Sequence, residues 1–167
     1  MKDEAKKRLK QLLGAYDDKL AERERVEAAI RAAREAFPER FTTLRKKTIL
    51  PLLQELAEEL NASGHEATCR EQEESASTSG GVTSAAIVLR IVPKPYAQRP
   101  AETKKSFLEI TFAANRSEQK IVVSSSNTII NSGGSVGKRG EYTVEAVTDE
   151  VVVAHVLNAL EEVFAGK

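Results

Sequence analysis

The chain reads as an α+β protein in which an N-terminal helical arm leads into an antiparallel meander of four to five strands covered by two helices. Three observations predict this class. Residues 1–62 are almost all helix formers, with apolar side chains at helical spacing. After Gly64 the pattern changes to alternating apolar and polar residues, the period of a half-covered antiparallel strand. At Thr148-Asp149-Glu150 it changes back, with a capping residue followed by two acids where the helix dipole favours negative charge. The expected order is α-α-β-β-β-β-β-α, with an arm and hinge over 1–47 and an α+β module over 48–167.

From Asp3 to Phe37 only Gly14 is a poor helix former. Leu9, Tyr16, Ile30, Phe37 and Leu44 recur on a seven-residue stagger that Arg23 breaks. A second row holds Leu13, Leu20 and Phe41, supplemented by Val26 and Ala33 and interrupted by Glu27 and Arg34. A stripe this narrow on so charged a helix gives little burial by itself and points to a partner helix. Leu9, Leu13, Tyr16, Leu20 and Ile30 are therefore the candidate interaction surface. The expected assembly is a homo-oligomer, a dimer first, with the module offering a sheet edge or loops to a further protein partner. An arm folded back on its own module is the competing arrangement, and the stripe alone leaves the direction of pairing open.

Pro38 either starts a new helix after a break at Phe37 or bends a continuous one. Residues 38–47 read as a hinge-like connection. Thr48 is a candidate cap with Pro51 in the tolerated first turn. Ile49, Leu52, Leu53, Leu56 and Leu60 then line a broad face, and Asn61-Ala-Ser-Gly64 is a stop signal.

Residues 66–73 read as a polar edge strand, and about 75–84 as a flexible loop rich in Ser and Gly. Strands follow at 85–92, 106–114 and 120–125, the last two joined by the Asn115–Gln119 turn. Glu141–Val147 is the expected final strand, from the alternation of Tyr142, Val144 and Ala146. The closing helix spans about 149–165, with Val152, Val153, Val156, Leu157, Leu160, Val163 and Phe164 on its apolar face.

Composition narrows the function classes. Lys plus Arg equals Asp plus Glu at 25 each, so no global field steers the chain to nucleic acid or an anionic membrane. Cys69 is the only cysteine, which excludes an intrachain disulfide. No stretch approaches the length of a transmembrane span, and the N-terminus has no apolar leader, so the expected compartment is the cytoplasm.

No residue pattern calls for a cofactor or a metal. Ser132-Gly-Gly-Ser-Val-Gly-Lys-Arg-Gly140 resembles a phosphate cradle, but Ser132 stands where such a loop needs glycine and Arg139 where it needs a hydroxyl. Lys138 and Arg139 remain the candidates for an anion-binding loop over 131–140. His65 and Cys69 share a strand face about 13 Å apart, too far for a base to activate a thiolate. His155 falls on the polar side of the last helix with Asn158 and Glu162 and reads as a surface histidine. Neighbouring carboxylates such as Glu58-Glu59 diverge on a helix instead of converging on a substrate.

The basic clusters at 6–8, 45–47, 104–105 and 138–139 lack interleaved aromatics, which makes nucleic-acid binding a minor alternative. Lys94–Pro100, with Tyr96 as an exposed aromatic, reads as an extended connection that a partner could recognise. The leading expectation is a non-enzymatic interaction module, with a small-molecule or anion-binding domain as the alternative.

Overall fold

The computed structural model describes residues 2–94, 96–100, 106–129 and 135–165. The chain forms two compact units, Met1–Ala36 and Phe37–Lys167. Helix α1, Asp3–Leu44, runs without interruption through Pro38. The hydroxyl of Thr42 donates to the Pro38 carbonyl at 3.0 Å. Of the two arrangements open at Pro38, the helix is the continuous one, and in place of a hinge-like connection residues 38–44 are α-helical and Arg45–Ile49 form a π turn.

Helix α2, Leu50–Ala62, follows directly, with Pro51 in its first turn. The Leu50 N–H reaches back five residues to the Arg45 carbonyl. A regular α turn would drive the Pro51 ring into the carbonyl four residues earlier, and the wider π turn relieves that contact. Thr48 therefore lies within the helical path and caps nothing.

Helix α2 stops at the Asn61–Gly64 signal. Gly64 adopts φ +90°, and the His65 N–H closes on the Leu60 carbonyl. Both ends of the Asn61 side-chain amide pair with the Ala67 backbone, at 2.8 and 3.0 Å. That one side chain ends the helix and sets the start of the first strand.

Strand β1 is Glu66–Gln72. Residues Ser75–Ala76 (β2) and Val82–Thr83 (β3) pair as a small exposed ladder inside the expected 75–84 loop. Backbone hydrogen bonding suffices for so short a ladder, which leaves no hydrophobic pattern to read. Strands β4 (Ala86–Val92), β5 (Leu108–Asn115), β6 (Lys120–Asn127) and β7 (Ser135–Tyr142) complete an antiparallel sheet in the order β1-β4-β5-β6-β7. Helix α3, Asp149–Phe164, is capped by Thr148, whose hydroxyl accepts from the Val151 N–H.

The last strand differs from expectation. Instead of Glu141–Val147, β7 occupies Ser135–Tyr142, and Val144–Ala146 turn as a short 3-10 helix. Of the alternating residues, Tyr142 at the end of β7 and Val144 in the turn pack against the core, and Ala146 is exposed. The strand itself is rich in glycine and held by its backbone. Its register to β6 shifts between Val123 and Ser124, so Arg139 is the extra residue of a bulge.

The core lies on one face of the sheet. Leu108, Ile110, Phe112 and Ala114 of β5, with Ile121 and Val123 of β6, pack with Leu53 of α2 and Val152, Val156 and Ala159 of α3. Phe37, Phe41 and Ile49 belong to the same cluster. On the opposite face β5 and β6 present Thr111, Ala113, Ser124 and Ser126, all half-buried, while β4 carries the buried Val88 and Val92. Among the described residues no helix is long and apolar enough to cross a membrane.

Candidate functional site

Among the described residues, three places gather chemistry-bearing side chains. On the arm, Leu9, Leu13, Tyr16, Leu20 and Ile30 are each more than a third exposed, as are Leu12 and Val26. Exposed apolar side chains in this number make the stripe a candidate interaction face. Leu12 was missed because it lies beside the two heptad rows and not on them.

At the π turn, Arg45 is the largest buried side chain, 1% exposed. In the sequence it stands in a basic cluster with Lys46 and Lys47. Its Nη1 donates to the Gln72 carbonyl at 3.0 Å, and Nη2 meets Glu73 Oε1 at 2.5 Å. Nε lies 3.0 Å from Glu71 Oε1 but off the N–H axis, so that contact is an ion pair and not a hydrogen bond. The guanidinium also sits 5.8 Å from the centre of the Phe41 ring. No sequence signal separates Arg45 from its two lysine neighbours, because the burial depends on β1 arriving opposite.

The third place is a cleft of about 560 Å³ between β6, β7 and α3, lined by Ser125, Lys138, Arg139, His155, Asn158 and Glu162 among others. Lys138 and Arg139 stand on β7, not in a loop, and residues 131–134 of that expected loop lie outside the described residues. The bulge turns Arg139 toward α3. Its Nε donates to Ser125 Oγ at 2.6 Å, and its two terminal nitrogens grip both oxygens of Glu162 at 3.0 and 2.5 Å. Lys138 pairs with Glu141 at 2.8 Å. The neighbouring cations lower the carboxyl pKa of Glu162 and of Glu141 through these hydrogen bonds. Each cation is thus matched, and an anion entering the cleft would have to displace Glu162 from a two-point contact.

His155 is half-buried and tied to Tyr142, whose hydroxyl lies 2.6 Å from Nε2. Burial and the Arg139 charge lower its pKa, which favours the neutral ring, and the ring's tautomer sets which of the two partners donates. A ring of this kind binds a proton more readily once the chain unfolds. Its contribution to stability is therefore complete above the ordinary value of 6.5 and is lost as pH falls toward the lowered folded value. Unfolding midpoints taken from about pH 8 down to about pH 5 are expected to fall, and His155→Gln to flatten that slope. A slope unchanged by the substitution would assign it to other groups. His65, lowered by burial and by Lys94, acts in the same direction, and His65→Gln gives its share.

The other candidates do not converge on a reaction centre. Cys69 is half-buried, and burial with the Glu71 charge pushes its thiol up to about 11, far from a nucleophile's range. His65 accepts from the Lys94 N–H at 3.2 Å and stacks on Phe164 with ring centres 5.0 Å apart. Tyr96, expected to be exposed in an extended segment, begins a 3-10 turn over Tyr96–Gln98 and is half-buried beneath Arg99. Lys104 and Lys105 lie outside the described residues. Among the described residues no group of three or more His, Cys, Asp or Glu could hold a metal ion. Comparison with protein families, curated proteins and solved structures finds no match for this chain.

Proposed function

We propose that the chain is a non-enzymatic assembly module whose arm pairs with the arm of a second copy. The single observation that carries this reading is the stripe of exposed apolar side chains from Leu9 to Ile30 on a continuous helix. Burying one leucine fully is worth about 1.5–3 kcal/mol, so a handful of such contacts can offset the entropy lost on association. The cleft at β7 supports this reading indirectly, since Arg139 and Lys138 are spent on internal ion pairs.

The test is the mass of the full chain by sedimentation at micromolar concentrations. A dimer is expected, and Leu20→Glu is expected to yield a monomer with an unchanged circular dichroism spectrum. A wild-type chain that stays monomeric throughout that range would sink the proposal.

A further inference from the structure

We infer that the two arms run antiparallel, about a two-fold axis beside Arg25, and that the charged interruptions in the apolar stripe set the register. This inference rests on the assembly reading above and names the geometry of the same surface. The seam positions of the heptad pattern, spaced alternately by four and three residues, fall at Leu9, Leu13, Tyr16, Leu20, Arg23, Glu27, Ile30 and Arg34. The same frame continues to Phe37 and Phe41, which the module's own core buries to 1% and 0% exposure. The seam open to a partner therefore ends at Arg34.

A parallel, in-register pair would set Arg23 against Arg23, Glu27 against Glu27 and Arg34 against Arg34. Three like-charged layers would stand in the middle of the interface, each repulsive where water is being excluded. Turning one helix around and centring the pair on residue 25 reverses the sign. Arg23 then meets Glu27 of the second copy, and symmetry repeats the pair. Leu20 meets Ile30, and Tyr16 meets Arg34 as ring against guanidinium. Beside the seam, Asp17 faces Arg31, and Val26 faces itself across the axis. Glu24 facing Glu24 is the one like-charged contact at the flank.

Glu27, Ile30, Arg31 and Arg34 line a hollow of about 300 Å³. Residues at i, i+3, i+4 and i+7 make the four-sided hole that receives a knob from a facing helix. In the proposed register that knob is Leu20, level with Ile30. Leu9 and Leu13 would fall level with Phe41 and Phe37 of the second copy, so the paired span is 16–34. Its apolar contacts come from Tyr16, Leu20, Val26 and Ile30, and Leu9 and Leu13 stay outside it. The span is about 28 Å long at 1.5 Å per residue. The other antiparallel register rich in leucine, centred between Gly14 and Ala15, sets Arg23 against Lys6 and leaves Ile30 unpaired.

Single-cysteine variants of the full chain, in a Cys69→Ser background, read the direction and the register. Mild oxidation is expected to link Val26→Cys to itself, and to link Leu20→Cys to Ile30→Cys when the two variants are mixed. Tyr16→Cys and Ile30→Cys alone are expected to remain unlinked. Self-linking of Tyr16→Cys or Ile30→Cys would show a parallel pair, and linking of Leu9→Cys to Leu20→Cys the other antiparallel register. Either result overturns this inference while leaving the assembly reading intact.

A charge exchange checks the same register without cysteines. Arg23→Glu is expected to weaken the dimer about tenfold, since two ion pairs become like-charged. Adding Glu27→Arg is expected to restore it, and a double variant no tighter than the single one would overturn the register. A wild-type monomer would overturn both readings.

Discussion

Arg45→Ala is expected to lower the unfolding free energy of the chain by about 3 kcal/mol, the cost of stranding the partners of a buried cation. The guanidinium holds the carbonyl of Gln72 at 3.0 Å, at the end of β1, and the carbonyl of Ala86 at 3.5 Å, at the start of β4. Those acceptors sit where the sheet departs into the β2–β3 ladder, and their donor comes from the π turn. Glu73 is 74% exposed and Glu71 34%, so water screens both ion pairs and they add only modestly. Most of the cost is desolvated carbonyls left without a donor.

Arg45→Met keeps the volume and removes the donors, so it is expected to recover little. Arg45→Lys keeps the charge, but an ammonium cannot span two carbonyls and two carboxylates in the plane of a guanidinium, and it is expected to recover about half. Denaturant unfolding of the full chain measures all three. A loss under about 1 kcal/mol for Arg45→Ala would mean that water takes over its contacts.

Much of the fold was legible because burial on one face leaves a periodic trace. Leu108, Ile110, Phe112 and Ala114 alternate in the sequence and alternate in burial along β5. Thr148 with Asp149 and Glu150 marked the start of α3, and Asn61–Gly64 marked the end of α2. The failures have a common cause. Strand β7 is held to β6 by backbone bonds across glycine-rich sequence, so its side chains carry no period. Thr48 and Pro51 look like a helix start, yet the helix passes through them, because a π turn accommodates the proline at no cost that sequence displays.

The chemistry of the clefts was less legible than the fold. Lys138 and Arg139 were found as cations, but their partners Glu141 and Glu162 depend on a bulge and on the placement of α3. His155 looked like a surface group because its helix position is polar. The Tyr142 hydroxyl that meets it comes from a strand whose boundaries the side-chain pattern had shifted. Arg45 shows the same limit more sharply, since three adjacent basic residues differ only in which of them faces the sheet.

Phe41→Ala and Ile30→Ala change two apolar residues of one heptad frame and are expected to have opposite consequences. Phe41 is fully buried in the module's core, beside the Arg45 guanidinium. Removing its ring leaves a cavity among side chains that strands and helices hold in place, and a loss of about 3–5 kcal/mol is expected. Tm should fall by about 10–15 °C, on the order of 3 °C per kcal/mol for a chain of this size. Ile30 is 44% exposed, on the arm. Its truncation is expected to leave the denaturant midpoint of dilute protein within about 0.5 kcal/mol of wild type, as surface changes do.

The order reverses for association, where Ile30→Ala should weaken the dimer and Phe41→Ala, wherever the chain remains folded, should not. The two readouts together separate a helix row used for folding from the same row used for assembly. An Ile30→Ala chain that lost several kcal/mol of stability while dilute would show that the arm's stripe is covered by its own chain. A loss of association without a loss of fold is what an intermolecular seam requires.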